Sequence, residues 1–364
     1  MGGRVSGGPA LVRRGRLLRA CGGLLLACMP RPLVAAEDAA RAVLTQHAVE
    51  VKLDSEGFVI EAKLPAGSAV PEELTVALGQ LSRLERLSAA GSRLNDAAVA
   101  AVGRMKTLRQ LDLRDCPLTN TGLAHLSGLT DLVALRLSGK TGATTVDDAG
   151  LPHLAGLKGL RVLMLDFLWV GKDGLESLAG LDKLEELTLA QTLVQDDALP
   201  AIAKFPALRR LRLARTSVSG MGLVELSRLT RLQDLDLSEA AQLDDAALAE
   251  VGKLTTLTRL NLWRVPVGDV GIGRLSGLTK LEWLNLDNTQ LTDAGLAALA
   301  GMQRLKTLHV GSTAISNAGV PALARLTALT EVELARTAID ARGAESLQAR
   351  LPKAAIRLEA PAQE

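Results

Sequence analysis

The sequence predicts a single right-handed α/β solenoid, a horseshoe with a parallel β-sheet on its concave face and helices on its convex face. Three observations predict it. The pattern L-x-x-L-x-L recurs with first leucines at Leu84, Leu108, Leu132, Leu160, Leu184, Leu208, Leu232, Leu257, Leu281, Leu305 and Leu329, every step being 24 residues except one of 28 and one of 25. Each copy runs on into a turn and a helix-spaced stripe, as in Leu281 to Arg304, LEWLNLDNTQLTDAGLAALAGMQR. The 364 residues contain no Tyr, three Phe and three Trp, as stacked leucine layers would require and an aromatic core would not. One such unit cannot bury its apolar face alone, so it must stack on copies of itself.

The segment 1–36 differs from the rest. Arg4, Arg13, Arg14, Arg16 and Arg19 precede an apolar run from Ala20 to Met29, then Pro30, Pro32 and the small residues Val34-Ala35-Ala36. These are the parts of a secretory signal peptide cleaved after Ala36, and the run is too short to span a bilayer. Leu25-Leu26-Ala27-Cys28 offers the alternative of a lipid anchor at Cys28. The leader holds six of the 42 basic residues and no acid, so the rest of the chain carries 36 basic and 40 acidic residues. That balance lacks the positive field of a nucleic-acid binder. Beyond the leader the only cysteine is Cys116, just after a strand in a half-buried position, which makes neither a disulfide nor a metal cluster.

The segment 37–64 reads as an N-terminal cap. Glu37 to Gln46 carries a helical stripe, and Val49, Val51 and Leu53 alternate before the turn Asp54-Ser55-Glu56-Gly57 and a second strand from Phe58 to Leu64. Without a cap the first repeat would expose its leucines and a strand edge. The repeats follow over 65–352, the first convex helix opening at Pro71-Glu72-Glu73-Leu74. Residues 353–364 supply a closing strand at Ile356 and Leu358 and a tail.

With the first leucine of a repeat at offset 0, offsets 3 and 5 point into the core and offset 10 is again apolar, as at Leu94, Val218 and Ile315. Offset 12 is Asp or Asn at Asp96, Asn120, Asp196, Asp269, Asp293 and Asn317, the residue types that cap helix N-termini. Offset 14 is Gly at Gly122, Gly174, Gly222, Gly271, Gly295, Gly319 and Gly343, which lets each helix lie close to its neighbour. About seven apolar side chains per repeat, at roughly 1.5–3 kcal/mol each, outweigh every other stabilising contribution in sight. The helix side of each unit is wider than the strand side, so the stack curves with its strands inside.

The pattern L-x-x-L-x-L-x-x-T-x-L-T-D-A-G-L-x-x-L resembles the leucine-rich-repeat superfamily, and more closely the 24-residue bacterial GALA-type repeats and the cysteine-containing repeats of F-box proteins, relatives of the ribonuclease-inhibitor fold. The resemblance covers roughly Phe58 to Leu358. It implies Asn, Cys or Thr at offset 8, bonded to backbone of the adjoining turn; Thr192, Thr216, Thr289, Thr313 and Thr337 match, whereas Lys140, Leu168 and Val265 do not. It also implies an interaction scaffold.

Offsets 2, 4 and 6 face the hollow of the solenoid. There the chain places two of its three Trp in adjacent repeats, with Arg residues beside them. Trp and Arg are the side chains that anchor protein interfaces. The candidate partner-binding residues are Arg210, Arg212, Asp236, Arg259, Asn261, Trp263, Trp283, Asn285, Asp287 and His309. A second reading has each Trp merely covering a neighbouring Arg stem and the strand backbone. The extra residues of the long repeat, Gly139 to Thr145, read as a rim loop with Phe167, Leu168 and Trp169 packed beneath it. The pairs Asp147-Asp148, Asp196-Asp197 and Asp244-Asp245 fall at helix starts, where they compensate the helix dipole rather than bind calcium.

No catalytic residue, metal ligand or cofactor site is expected. His125 and His153 fall on solvent-facing convex positions and His47 in the cap. His309 shares a face with Asp287 and Glu333 but has no Ser or Cys nucleophile beside it. The expected role is that of an exported, non-enzymatic scaffold with a protein partner in its hollow. A substrate adaptor of the F-box type and a structural envelope protein are the alternatives; no F-box fits between Glu37 and Phe58.

Overall fold

The computed structural model describes residues 31–359, with side chains from residue 36 onward; the expected leader and Cys28 lie outside the described residues, apart from the stretch from Arg31. Fourteen strands form one open sheet whose spatial order is the chain order. They are β1 (Glu50–Leu53), β2 (Val59–Lys63), β3 (Arg86–Ser88), β4 (Gln110–Asp112), β5 (Ala134–Ser138), β6 (Val162–Asp166) and β7 (Glu186–Thr188). The second half comprises β8 (Arg210–Arg212), β9 (Asp234–Asp236), β10 (Arg259–Asn261), β11 (Trp283–Asn285), β12 (Thr307–His309), β13 (Glu331–Glu333) and β14 (Ala355–Arg357). The β1–β2 pair is antiparallel and every later pair is parallel, as an array of identically wound coils demands.

The core is the leucine ladder. Leu84, Leu108, Leu132 and their successors at offset 0 are fully buried, with Leu111, Leu135 and Leu163 of the strands stacked beside them. In front of the array, α1 (Arg31–Gln46) packs against α2 (Glu72–Gly79) in the helix layer. It begins upstream of Glu37, where the sequence reading started the cap helix. Glu37 is buried and fastens the cap: one carboxylate oxygen accepts from the Val59 amide (2.8 Å), the other from the amide and hydroxyl of Ser82 (3.3 Å each).

The convex side is shorter-wound than expected. Seven-residue α-helices occur at Asp96–Val102 and Asn120–Leu126, but Leu151–Leu154, Val224–Arg228 and Ala297–Gly301 are 3₁₀ turns. A 24-residue coil that spends its length on a strand and two turns has room for little more.

The Asp and Asn at offset 12 do not cap their own helices. The capping side chain is one residue earlier: Asn95 accepts from Ala98 N–H (3.1 Å), Thr119 from Thr121 N–H (3.1 Å) and Asp340 from Gly343 N–H (2.9 Å). The offset-12 group instead reaches into the next repeat. Asp96 accepts from the amide and hydroxyl of Thr119 (3.0 and 2.6 Å), Asp269 from those of Thr292 (2.8 and 2.6 Å) and Asp293 from those of Ser316 (2.8 and 2.6 Å). Asp148 and Asp245 do the same to Gly171 and Gly268 (2.7 Å each). Side-chain oxygens, carboxylates in most coils and the carboxamides of Asn120 and Asn317 in two, thus staple most coils to their successors, satisfying amides that a helix start leaves orphaned.

Three further expectations are corrected. The offset-8 threonines donate to a carbonyl of their own turn, Thr289 to Leu286 (2.7 Å) and Thr216 to Leu213 (2.6 Å), whereas Cys116 reaches the adjoining repeat, at Ala89 O (3.1 Å). Cys116 is fully rather than half buried, and burial pushes its thiol up to about 11. In the long repeat the insertion displaces Lys140 into the loop, and buried Thr144 takes its place with a bond to Cys116 O (2.7 Å). Leu168 does pack inward, but Trp169 is 68% exposed instead of lying under the rim.

The turn that leaves each strand carries a feature no hydrophobic pattern announces. The offset-7 residue is left-handed in nearly every coil, with φ of 58° at Asp115, 55° at Arg264, 56° at Asn288 and 52° at Ser312; Gly91 fills the same place with φ 71°. That conformation directs the amide onto the next coil, as in Arg264 N–H to Asp287 O (2.9 Å) and Asn288 N–H to Gly311 O (2.9 Å).

Candidate interaction surface

The parallel register sets the concave side chains in columns. One column runs Glu186, Arg210, Asp234, Arg259, Trp283, Thr307; the next runs Thr188, Arg212, Asp236, Asn261, Asn285, His309. Neighbours in a column are one strand apart, about 4.8 Å, so each side chain lies within reach of the ones before and after it.

In the first column the charges alternate and pair. Arg210 binds Glu186, and Arg259 approaches Asp234 (3.3 Å). Arg212 bridges across repeats, to Asp236 (3.1 Å) and to Asp166 (3.0 Å). Burial pushes the Asp234 carboxyl above the ordinary Asp range; Arg259 opposes that shift and Asp236 reinforces it.

Past Asp234 the column turns aromatic. The Arg259 guanidinium lies over the Trp283 ring, 4.3 Å from its centroid, and the His309 ring of the next strand meets Trp283 tilted, at 5.5 Å and 52°. Arg264 lies over Trp263 at 5.2 Å. Both Trp are half-buried, each keeping part of its surface exposed. Each Trp does cover an Arg, yet neither is enclosed.

Several of the predicted binding residues have a structural duty. The amide at offset 6 has no backbone acceptor once the chain swings into its left-handed turn, and a concave side chain supplies one. Asp236 accepts from Ser238 N–H (3.0 Å), Asn261 from Trp263 N–H (3.1 Å), Asn285 from Asp287 N–H (2.8 Å) and Asp287 from Gly311 N–H (2.5 Å). These four are the frame. Trp263, Trp283, Arg259, Arg210, Arg212 and His309 keep surface to offer.

Asp236 and Asn261 of the frame, with Arg210, Arg212, Arg259 and Trp283, border a concavity of about 240 Å³ that Thr188 also lines; Trp263, Asn285, Asp287 and His309 lie outside it. Glu186 and Thr188 belong to it although sequence reasoning did not select them; their offsets, shared with Arg210 and Arg212, were the available signal. The Thr188 hydroxyl is buried and has no hydrogen-bond partner among the described residues. His309 lies 3.8 Å from Asp287, too far for a hydrogen bond. Among the described residues no three His, Cys, Asp or Glu converge as a metal site would need, and no helix is long and apolar enough to cross a membrane.

Comparison with known proteins agrees with this architecture. Residues 104–127 and 277–300 match the family model described as Leucine Rich repeat. No curated protein matches the chain in sequence. Among solved structures, an internalin from Listeria monocytogenes is 21% identical and superimposes with a TM-score of 0.63, over 93% of this chain and 100% of its own. The Arabidopsis receptor kinase HAESA, solved with a peptide hormone and a co-receptor, is 16% identical with a TM-score of 0.50, over 85% of this chain and 50% of its own. Coil geometry, register and the two repeat matches together give this protein the leucine-rich-repeat solenoid fold.

Proposed function

We propose that the protein is a non-enzymatic scaffold that binds a protein partner in its hollow, with Trp263 and Trp283 as the anchors. The observation that carries this reading is the Arg259–Trp283–His309 stack, held rigid by its neighbours and still open to solvent. Large rings fixed in advance lose little entropy when covered, which is how a preformed surface gains affinity. The arginines contribute less, because each already has a carboxylate neighbour and an exposed ion pair is worth little. The T-D-A-G-L turn at Thr292 to Leu296, with its looser copies in other repeats, supports the bacterial GALA-type group within the fold, and the leader supports export.

The test is capture from an extract of the native organism. Trp263→Ala/Trp283→Ala should lose a partner that the wild type retains, with a thermal midpoint within a few degrees of wild type. Retention of the partner by the double variant would overturn the assignment. Cell fractionation tests export, and a full-length chain retained in the cytoplasm would contradict it.

A further inference from the structure

The first strand is the open end of the array. Among the described residues β1 pairs with β2 on one side and with nothing on the other. Asp54 N–H donates to Phe58 O (2.8 Å), so by alternation the amides of Glu50 and Lys52 also face β2, while those of Val51 and Leu53 point outward. β2 has no free edge to share, since Ile60 O and Leu64 N–H bond to Glu85 and Ser88.

The side chains show the same incompleteness. Val51 pairs with Ala62 and Leu53 with Val59, both fully buried, so Val51 and Leu53 lie on the core face of the sheet. They are nevertheless 41% and 38% exposed. Helix α1 packs beside α2 and leaves this edge uncovered. Solenoid ends are ordinarily sealed, and an exposed apolar edge is a template for another strand.

The strand is also self-complementary. We propose that a second copy of this chain docks there, edge to edge and antiparallel, about a two-fold axis through Val51. In that register Val51 exchanges both backbone hydrogen bonds with Val51 of the second copy. Glu50 faces Lys52 of the second copy and Lys52 its Glu50, while Leu53 meets Val49. Sliding either copy by two residues sets Glu50 against Glu50 or Lys52 against Lys52, so charge selects the register. The interface is isologous and closed, and the two sheets become one.

Sedimentation equilibrium of the full chain tests this. The wild type should be a dimer at tens of micromolar. Glu50→Lys alone and Lys52→Glu alone each place like charges opposite one another and should sediment as monomers. An equimolar mixture of the two should recover the dimer, because every facing pair is then opposite in sign. Val51→Pro removes an outward amide without touching the β1–β2 bonds, and should give a monomer with the wild-type thermal midpoint. A monomeric wild type, single variants that dimerise as it does, or a mixture that stays monomeric would each overturn the proposal.

Discussion

Asp269 occupies the space that a side chain on Gly295 would need: a Cβ there would lie 2.3 Å from the Asp269 Oδ1. The same oxygen accepts from Thr292 N–H, so the staple between coils and the glycine three residues on are one device. It recurs at Asp96 with Gly122, Asp196 with Gly222 and Asp293 with Gly319.

Two substitutions and their combination measure that device. Gly295→Ala should destabilise by about 1–3 kcal/mol through overpacking. Asp269→Ala should cost about 1–3 kcal/mol by stranding the Thr292 amide and hydroxyl. The double variant should cost less than the sum, since removing the carboxylate relieves the nearest clash and leaves only the flexible Leu291 Cδ1, 2.7 Å from the new Cβ, to give way. Gly277→Ala is the control, its Cβ meeting nothing nearer than 3.8 Å. Denaturant titration reads all four; strict additivity would refute the coupling.

Ser312 holds φ at 52° with no side-chain partner found for its hydroxyl among the described residues. The left-handed conformation penalises any residue with a Cβ, and Gly91 shows that the turn accepts glycine. Ser312→Gly should therefore raise stability by about 0.5–1 kcal/mol, read as a higher denaturation midpoint. A loss of stability would mean that the turn depends on the serine side chain.

Asp287 supplies a pH signature. Burial is the main influence on its carboxyl and pushes it above the ordinary 3.8; Glu333 adds to the shift, while the Gly311 amide, His309 and Arg336 oppose it. The folded state therefore holds this proton more tightly than the unfolded chain. Its stability falls as pH rises from near 3.8 to the raised folded value, and the penalty stays constant above that. Asp287→Asn keeps an acceptor for Gly311 N–H and cannot ionise. Its thermal midpoint relative to wild type should rise between pH 3 and pH 7. A relative midpoint that fell over that interval would contradict the assignment.

Much of this was readable in the sequence, for a physical reason. Leu281, Leu284 and Leu286 can only be buried by stacking, so their spacing dictates both strand and solenoid, and strand alternation puts Trp283 and His309 in the hollow. What escaped lies in contacts whose partners are a full coil apart. Asp269 beside a helix start has the appearance of a cap, and only the three-dimensional offset of successive coils shows that it serves Thr292. Asn261 and Asn285 look like recognition residues by position, yet each serves an amide two residues on, freed by a left-handed turn that Arg264 and Asn288 adopt without glycine. Trp169 escaped for a different reason: a ring next to an insertion is expected beneath it, but the insertion folds back on Asp115 through Thr141 and leaves the ring uncovered.

The most direct test of the account is site-specific photocrosslinking in extract of the native organism. A benzophenone residue replaces Thr307, which faces Trp283 in the adjacent strand, or His125 on the convex side. The account predicts one discrete crosslinked protein from position 307, none from position 125, and loss of the product when Trp283→Ala is added. Equal crosslinking from both faces, or a product at position 307 that survives Trp283→Ala, would contradict it.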